Sequence, residues 1–207
     1  MHITRRLLLL AVLYGGVASA AWGQDVQRSA EEQAFPPSAK VAGEPLLLNG
    51  TGVRAVAWFK GYAAGLYLSR RVHTAAQALA LAGPKRLQLR MLQEVPAAEF
   101  VKALKKGIDR NTAPQDRAAL AGGVQRFADE IAAVEMVHKG DVIDLDLDPA
   151  RGLLFTLNGT LHGQALADAA VYAALLRAFI GERPYDERLK AGLLALPASR
   201  APAPTPY

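Results

Sequence analysis

The chain has 207 residues, 51% apolar and 21% charged, which is enough for one domain with a sizeable core and too few to favour two. The formal net charge is +5, from basic residues dispersed along the chain, and this argues against a nucleic-acid partner. There is no cysteine. Disulfides are therefore excluded, and the core must be self-sufficient.

The first 23 residues follow the pattern of an export signal. Arg5 and Arg6 supply a positive end, and residues 7–18 form an apolar stretch too short to span a membrane. Small-x-small cleavage sites end at Ala20 and Gly23, and no cysteine follows either, so a lipid anchor is excluded. We predict that residues 1–23 are removed and that the protein is periplasmic or secreted in a bacterium, with no membrane span in the mature chain.

The remaining sequence divides into a domain with two tails. Residues 24–39 are polar, carry two consecutive prolines and show no apolar period, which predicts a flexible tether. Residues 197–207 are rich in Pro and Ala and predict a flexible tail. The domain is expected at residues 40–196.

The first half of the domain begins with predicted strands. Residues 44–48 and a longer stretch, 53–68, are rich in β-branched, aromatic and leucine residues, and residues 87–91 alternate with period two. Each is predicted as a strand.

Two helical regions follow. Pro96 suits a first helical turn, and apolar residues then recur every four positions at Phe100, Leu104 and Ile108, which predicts a helix ending near Gly107 with its lysines elsewhere on the cylinder. Thr112 is a candidate cap for a second region that begins near Pro114. Because Gly122 and Gly123 interrupt that region, we expect two pieces or one bent helix.

The last third predicts an antiparallel meander and two helices. Residues 142–147 and 153–157 alternate, and Asn158-Gly159 is a tight hairpin turn. Helices are predicted from Ala165 to Ile180 and from Glu187 to Leu194. This order of elements predicts the α+β class, with an antiparallel sheet covered on one face by helices.

Most motifs that carry chemistry are missing. Asp144, Asp146 and Asp148 alternate with apolar residues, which makes them one face of a strand rather than a calcium loop, and we expect that face to be solvated. The histidines lack metal-ligand spacing, and no Gly-x-Ser-x-Gly elbow or phosphate-binding glycine loop occurs. We predict no metal and no cofactor.

Arg54 is the informative residue because it lies in an otherwise apolar strand region. A half-buried guanidinium must have its charge and its donors satisfied. An anionic ligand would do this, and so would an acid such as Glu94 or Glu99, or an escape of the side chain to the edge of the sheet. Spacing alone leaves these alternatives open.

The segment around Arg54 resembles the chalcone isomerase family. The family pattern is a glycine-flanked arginine followed by a lysine-containing strand that ends in Gly-x-Tyr-Leu, which is residues 65–68 here. The resemblance continues at Asn158-Gly159, at the helix from Ala165, and at residues 179–181. It covers about three quarters of the chain and implies an open-faced antiparallel β-sandwich with a helical layer over an apolar cleft.

The resemblance also implies roles for residues. Arg54 matches the arginine that polarises the substrate ketone in the plant enzymes. Tyr62 stands at the position of a family threonine, Lys102 matches a lysine, and Lys106 and Glu99 fall near an asparagine and a tyrosine. Relatives without the full catalytic set bind fatty acids through the arginine and a tyrosine, a role open here to Tyr62 or Tyr67.

One constraint bears on all these roles. In one unbroken strand Arg54 and Tyr62 would be about 27 Å apart at roughly 3.3 Å per residue. They can share a pocket only if the chain folds back between them, and no Gly or Pro precedes Gly61 in that stretch.

Three functions remain open. The protein could be an intramolecular lyase of the chalcone isomerase type, a noncatalytic binding protein for a fatty acid or other apolar anion, or a partner-binding domain with a vestigial cleft. Arg54 and Tyr62 are the predicted catalytic residues. Tyr67, Lys102 and Lys106 are the predicted ligand-binding residues, and the expected partner is a small apolar or aromatic ligand, anionic in the second case.

Overall fold

A computed structural model describes residues 35–56 and 59–196. The predicted export signal, most of the tether and the C-terminal tail lie outside these residues. The strands are β1 (Ser38–Val41), β2 (Glu44–Val56), β3 (Phe59–Leu68), β4 (Lys85–Met91), β5 (Val95–Pro96), β6 (Met136–Val137), β7 (Val142–Asp148), β8 (Gly152–Leu157) and β9 (Thr160–Leu166). The helices are α1 (Ala75–Ala80), α2 (Ala97–Asn111), α3 (Pro114–Ala132), α4 (Ala169–Ile180) and α5 (Glu187–Leu193).

Seven of the described strands form one antiparallel sheet in the order β1-β2-β3-β4-β7-β8-β9, and β5 pairs with β6 beside it. We call the face that packs on the helices the inner face and the opposite one the outer face. The inner face and the helices share one large buried apolar cluster. The predicted α+β class, an antiparallel sheet with a helical layer, is confirmed.

The stretch predicted as one strand from Val53 to Leu68 is instead a hairpin. Val56 lies opposite Phe59 and Arg54 lies opposite Tyr62, so the chain folds back within the stretch. The prediction of a continuous strand was wrong because both arms carry the same kind of residue and no glycine or proline lies between Val53 and Gly61. The fold-back required for a shared Arg54–Tyr62 site is present.

The helices differ from prediction at their ends. Helix α2 runs past Gly107 to Asn111, and α3 is continuous across Gly122 and Gly123. Thr112 makes no cap, because the first residue before α3 is Ala113 and it has no side-chain cap bond.

The fourth helix begins at Ala169 rather than Ala165, since the preceding residues complete β9. Asp168 caps it by accepting hydrogen bonds from Ala170 and Val171. The Asn158-Gly159 turn was predicted correctly, and both residues have positive φ, at 52° and 79°, as the tight hairpin turn requires.

The end of the predicted tether is part of the fold. Phe35 is buried, β1 already begins at Ser38, and the Tyr67 hydroxyl donates to the Pro36 carbonyl at 3.0 Å. The Phe35 ring lies on Gly65, where a β-carbon would come within 2.6 Å of it. The segment before β1 therefore covers part of the outer face.

The aspartates of β7 are not solvated, which corrects the predicted wet face. Asp144 and Asp146 are only 8% and 5% exposed. Arg86, on the neighbouring strand, donates from Nε and Nη2 to the two Asp146 oxygens at 2.7 and 2.6 Å, and its Nη1 lies 3.3 Å from Asp144 Oδ2. Gln88 Nε2 donates to Asp144 at 2.7 Å. A cross-strand charge network thus replaces water on this face.

Candidate functional site

The candidate site centres on a cross-strand pair near the end of the β2–β3 hairpin. Arg54 lies directly opposite Tyr62, and directly opposite residues of an antiparallel pair point to the same face. Tyr62 is buried in the inner-face core, and the Arg54 Cζ lies 6.0 Å from the centroid of its ring. The register shifts just after Arg54, an irregularity of the kind that re-aims side chains in sheets.

A second tyrosine reaches Arg54 from the helical layer. Tyr185 lies between α4 and α5, and the centroid of its ring is 5.1 Å from the Arg54 Cζ. Its ring packs edge-to-face on Phe179 at 4.9 Å, and its backbone N–H donates to the Ala178 carbonyl at 3.0 Å. A β-carbon on Gly107 would come within 2.4 Å of the ring. Glycine at that position of α2 therefore leaves the space that the ring occupies.

Both phenols are neutral hydrogen-bond donors at ordinary pH. Burial raises the pKa of Tyr62 to about 12, although the charge and hydrogen bond of Arg54 oppose the rise. Burial also raises the pKa of Tyr185, against the charges of Arg54 and Arg110. Within the described residues, the buried Tyr185 hydroxyl has no hydrogen-bond partner. The site therefore has donor capacity left for an acceptor.

Arg110 adds a second positive charge. It lies in the last turn of α2, and its charge acts to lower the pKa of Tyr185. Its Nε is buried and has no hydrogen-bond partner in the part of the chain that the structure describes. Two positive charges, those of Arg54 and Arg110, therefore act on Tyr185.

The acids considered as partners for Arg54 lie elsewhere. Glu94 is 3.9 Å from His138 Nε2 and Glu99 is 3.8 Å from Lys102 Nζ, all at the surface. Between residues 35–56 and 59–196, no carboxylate lies within ion-pair distance of Arg54. The alternative in which Glu94 or Glu99 neutralises Arg54 is therefore wrong for this structure.

Asp186 is the acid whose charge reaches the site, and it acts to raise the pKa of Tyr62. Its Oδ1 accepts hydrogen bonds from the backbone N–H groups of Arg188 and Leu189, at 2.7 and 3.1 Å. Asp186 thus caps α5, a standard use of aspartate at a helix start.

The predicted ligand-binding residues are not brought to Arg54. Tyr67 is five positions from Tyr62 and belongs to the outer-face cluster, where burial raises its pKa to about 12. The Lys102 side chain is 78% exposed, and Lys106 is also exposed. The structure assembles Arg54 and Tyr62 and leaves the other three apart.

The glycines that flank Arg54 leave space for the backbone of helix α5. A β-carbon on Gly50 would lie 2.2 Å from the Gly192 carbonyl oxygen, and one on Gly52 would lie 2.9 Å from that of Leu189. Conversely, a β-carbon on Gly192 would lie 2.1 Å from the Thr51 oxygen. Helix α5 therefore packs backbone to backbone on β2, and this contact holds the preceding Tyr185 beside Arg54.

Sequence reasoning missed Tyr185 and Arg110. Tyr185 lies in a short irregular connection with no period, and Arg110 lies beyond the predicted end of its helix. The sequence did contain one signal for Tyr185. It is an aromatic residue placed between Pro184 and the helix cap Asp186, and a residue in that position is held between two packed helices.

The buried tyrosines predict a steep loss of stability in alkali. Four described tyrosines have raised pKa values: Tyr62, Tyr67, Tyr172 and Tyr185. Between pH 10 and about 12 the unfolded chain loses phenolic protons that the native Tyr62 retains. The free energy of unfolding therefore falls as pH rises through this window, by on the order of 3 kcal/mol for Tyr62 alone.

Ultraviolet absorbance of tyrosinate, recorded together with circular dichroism, tests this expectation. These tyrosines should ionise only as the protein unfolds, whereas the same chain in denaturant should titrate near pH 10. Ionisation of all tyrosines near pH 10 in a still-folded protein would contradict the packing described.

The described residues contain no group of three or more His, Cys, Asp or Glu side chains that could hold a metal ion. Within residues 35–56 and 59–196, no helix is long and apolar enough to cross a membrane.

Comparison with known proteins agrees with the architecture. The family model described as chalcone isomerase-like matches residues 27–195. A crystal structure of a fatty-acid binding protein from Arabidopsis thaliana is similar, with a TM-score of 0.54 and 17% identity over 77% of this chain and 90% of that one; at this identity the likeness shows the fold. The comparison with curated proteins found no match. Since the family match spans most of its length, the chain belongs to the chalcone isomerase-like family.

Proposed function

We propose that the protein is a noncatalytic binding protein for an apolar ligand with an anionic head, such as a fatty acid. The observation that carries this proposal is the placement of Arg54 against the Tyr62 and Tyr185 rings, with no described carboxylate at ion-pair distance. A carboxylate head would accept hydrogen bonds from the guanidinium and from the Tyr185 hydroxyl. The fatty-acid binding relative supports the same ligand class.

The surroundings of the head-group site suit such a ligand. Charge-assisted hydrogen bonds to a guanidinium are among the stronger polar contacts, and two neutral phenols add donors without adding negative charge. Phe179 is fully buried and packs on both Tyr62 and Tyr185 at 6.4 and 4.9 Å, so it fixes the two rings beside Arg54. Ligand sites commonly combine mostly apolar walls with a few placed polar groups.

We further propose that the protein acts after export, in the periplasm or outside the cell. The basis is the signal-like sequence of residues 1–23. Amino-terminal sequencing of the protein recovered from a periplasmic fraction tests this. A mature start after Ala20 or Gly23 is expected, and an intact Met1 in the cytoplasmic fraction would contradict it.

The head-group assignment predicts the effect of Arg54→Gln. Removing the charge should weaken fatty-acid binding by about 10- to 150-fold, from a contact worth roughly 1.5–3 kcal/mol, and Arg54→Lys should restore only part of the affinity because an ammonium lacks the planar fork. Isothermal titration calorimetry with fatty acids from octanoate to palmitate measures both variants.

Lys102→Gln is the matched control. It also removes a positive charge, but from an exposed position on α2, so the affinity should not change. Loss of binding in Lys102→Gln with none in Arg54→Gln would move the site to the lysine suggested by the family resemblance and overturn the present assignment.

An intramolecular lyase of the chalcone isomerase type is the second candidate. The observation in its favour is the same set of donors, because a guanidinium and neutral phenols also suit an oxyanion that develops during reaction. Against it, Lys102 and Lys106, which the family resemblance places at or near catalytic positions, are exposed. Cyclisation of a 2′-hydroxychalcone that depends on Arg54 would favour the enzyme, and fatty-acid binding without cyclisation would favour the binding protein.

A further inference from the structure

A cavity lies far from Arg54 on the same face of the sheet. Its volume is about 460 Å³, and it lies between α1, the start of α4 and the turn that joins β7 to β8. Met91, which lies opposite Tyr62, is six positions along β4 from Lys85, which lines this cavity. At roughly 3.3 Å per residue this is about 20 Å. The cavity is therefore separate from the Arg54 site.

Lys85 supplies the buried polar group of this cavity. It alternates with Leu87, Leu89 and Met91, so it points to the inner face, and it is only 4% exposed. Its Nζ donates to the Leu81 carbonyl at 2.5 Å. Among the described residues no carboxylate lies within ion-pair distance of it. An ammonium group has three donors, so two remain for a ligand or water.

Leaving this buried ammonium without a counter-charge affects the pKa of Lys85. Burial lowers the pKa of Lys85, since an apolar setting disfavours the charged form. A bound anion would reverse that effect. The remaining walls are largely apolar, with Leu79, Leu81, Leu147 and Leu176 among them.

Two other charged residues line the cavity, and neither neutralises Lys85. Asp148 Oδ1 accepts the backbone N–H groups of Ala150 and Arg151, at 2.8 and 3.2 Å, and so stabilises its own turn. Arg151 lies on the same turn and is exposed, and it carries the same positive charge as Lys85. Lys85 is thus the buried cation and Asp148 the buried anion of the lining.

We propose that this cavity is a second ligand site, which binds a small monocarboxylate with its head on Lys85 and its apolar body against the leucines. The site does not depend on the function proposed for Arg54. A volume of 460 Å³ holds on the order of 15 heavy atoms at about 30 Å³ each, which suits a short-chain acid. One ammonium matches one carboxylate, whereas the nearby Asp148 opposes a more highly charged head such as a phosphate.

The test uses octanoate and its neutral counterpart octanamide, measured by isothermal titration calorimetry on the purified protein. An Arg54→Gln background removes the head-group contact of the first site. In that background octanoate should still bind with one equivalent per protein. Octanamide should bind at least about tenfold more weakly than octanoate. Adding Lys85→Met should weaken octanoate binding to the level of octanamide.

The outcomes separate the two sites. If octanoate and octanamide bind equally well in the Arg54→Gln protein, or if Lys85→Met changes nothing, the Lys85 site is refuted. If Lys85→Met alone removes octanoate binding while Arg54→Gln has no effect on any fatty acid, the Lys85 site stands and the function proposed for Arg54 fails. Should Lys85→Met not fold, the comparison of acid with amide still decides.

Discussion

Replacing Arg86 with methionine is expected to lower the free energy of unfolding by about 3–5 kcal/mol at neutral pH, because it leaves buried carboxylates without their counter-charge. Arg86 holds both oxygens of Asp146 and approaches Asp144 at 3.3 Å. Burial already raises the pKa of Asp146 even with Arg86 in place. Chemical denaturation of the variant and the wild type measures the difference.

The pH dependence of this variant identifies the cause. Without Arg86 the native pKa of Asp146 rises further above its unfolded value, because burial then acts without an opposing positive charge. The native state then binds more protons than the unfolded state just above pH 4, so stability falls as pH rises through that window. The loss relative to wild type should therefore be smaller near pH 4 than at pH 7. A loss independent of pH would point to packing instead.

The double variant Arg86→Met, Asp146→Leu is the matched control. It removes both members of the closest ion pair and substitutes apolar side chains, an exchange that is often neutral for buried pairs. It should recover most of the stability that the single variant loses. If it is as unstable as the single variant, the charge network is not what holds this face together.

The strands and helices were largely predictable because burial imposes a period. Alternation marked β4, β7 and β8, and the four-residue spacing of Phe100, Leu104 and Ile108 marked α2. The reversal inside β2–β3 was not predictable, since a hairpin leaves the alternation of both arms intact and its turn contains none of the usual turn residues. The predicted start of α4 was also wrong, since Ala165 and Leu166, its first predicted residues, are the end of the edge strand β9.

Alternation reveals which residues share a face, but not what covers that face. Asp144 and Asp146 were correctly placed on one side of a strand, yet their burial depends on Arg86 and Gln88, which come from a strand more than fifty residues earlier. A polar face that pairs across strands and a polar face that meets water have the same sequence period. Lys85 was missed because the predicted strand began at residue 87, whereas β4 begins at Lys85 and extends the same alternation.

Some residues of the candidate site could be predicted from the sequence, and others could not. Arg54 was identifiable as a charge in an apolar segment, and Tyr62 came from the family resemblance. Tyr185 is brought to them by the contact between α5 and β2, which depends on backbone approach rather than on any periodic pattern. The spacing did bear on Lys102 and Lys106, since both fall off the apolar stripe of α2, and their exposure in the structure agrees with that spacing.

Replacing Gly192 with alanine is expected to be the most damaging of the small substitutions in the helices. The new β-carbon would lie 2.1 Å from the Thr51 oxygen and 3.0 Å from the Gly52 Cα, and both atoms belong to the backbone of β2. Helix α5 cannot easily retreat, because the Asn49 side chain donates to the Leu193 carbonyl at 2.7 Å. Overpacking of this kind costs roughly 1–3 kcal/mol or more, which exceeds the gain of about 1 kcal/mol from helix propensity.

Gly122→Ala in α3 isolates the packing effect. It makes the same exchange within a helix, but its β-carbon would meet only a flexible arginine end at 3.8 Å, so it should stabilise the protein by about 0.5–1 kcal/mol. Gly192→Ala should instead destabilise it and also weaken fatty-acid binding, since a displaced α5 carries Tyr185 away from Arg54. Thermal denaturation and calorimetry of the two variants measure both effects. Equal stabilisation by the two alanines would show that α5 does not rest on the β2 backbone, and the glycines beside Arg54 would then need another explanation.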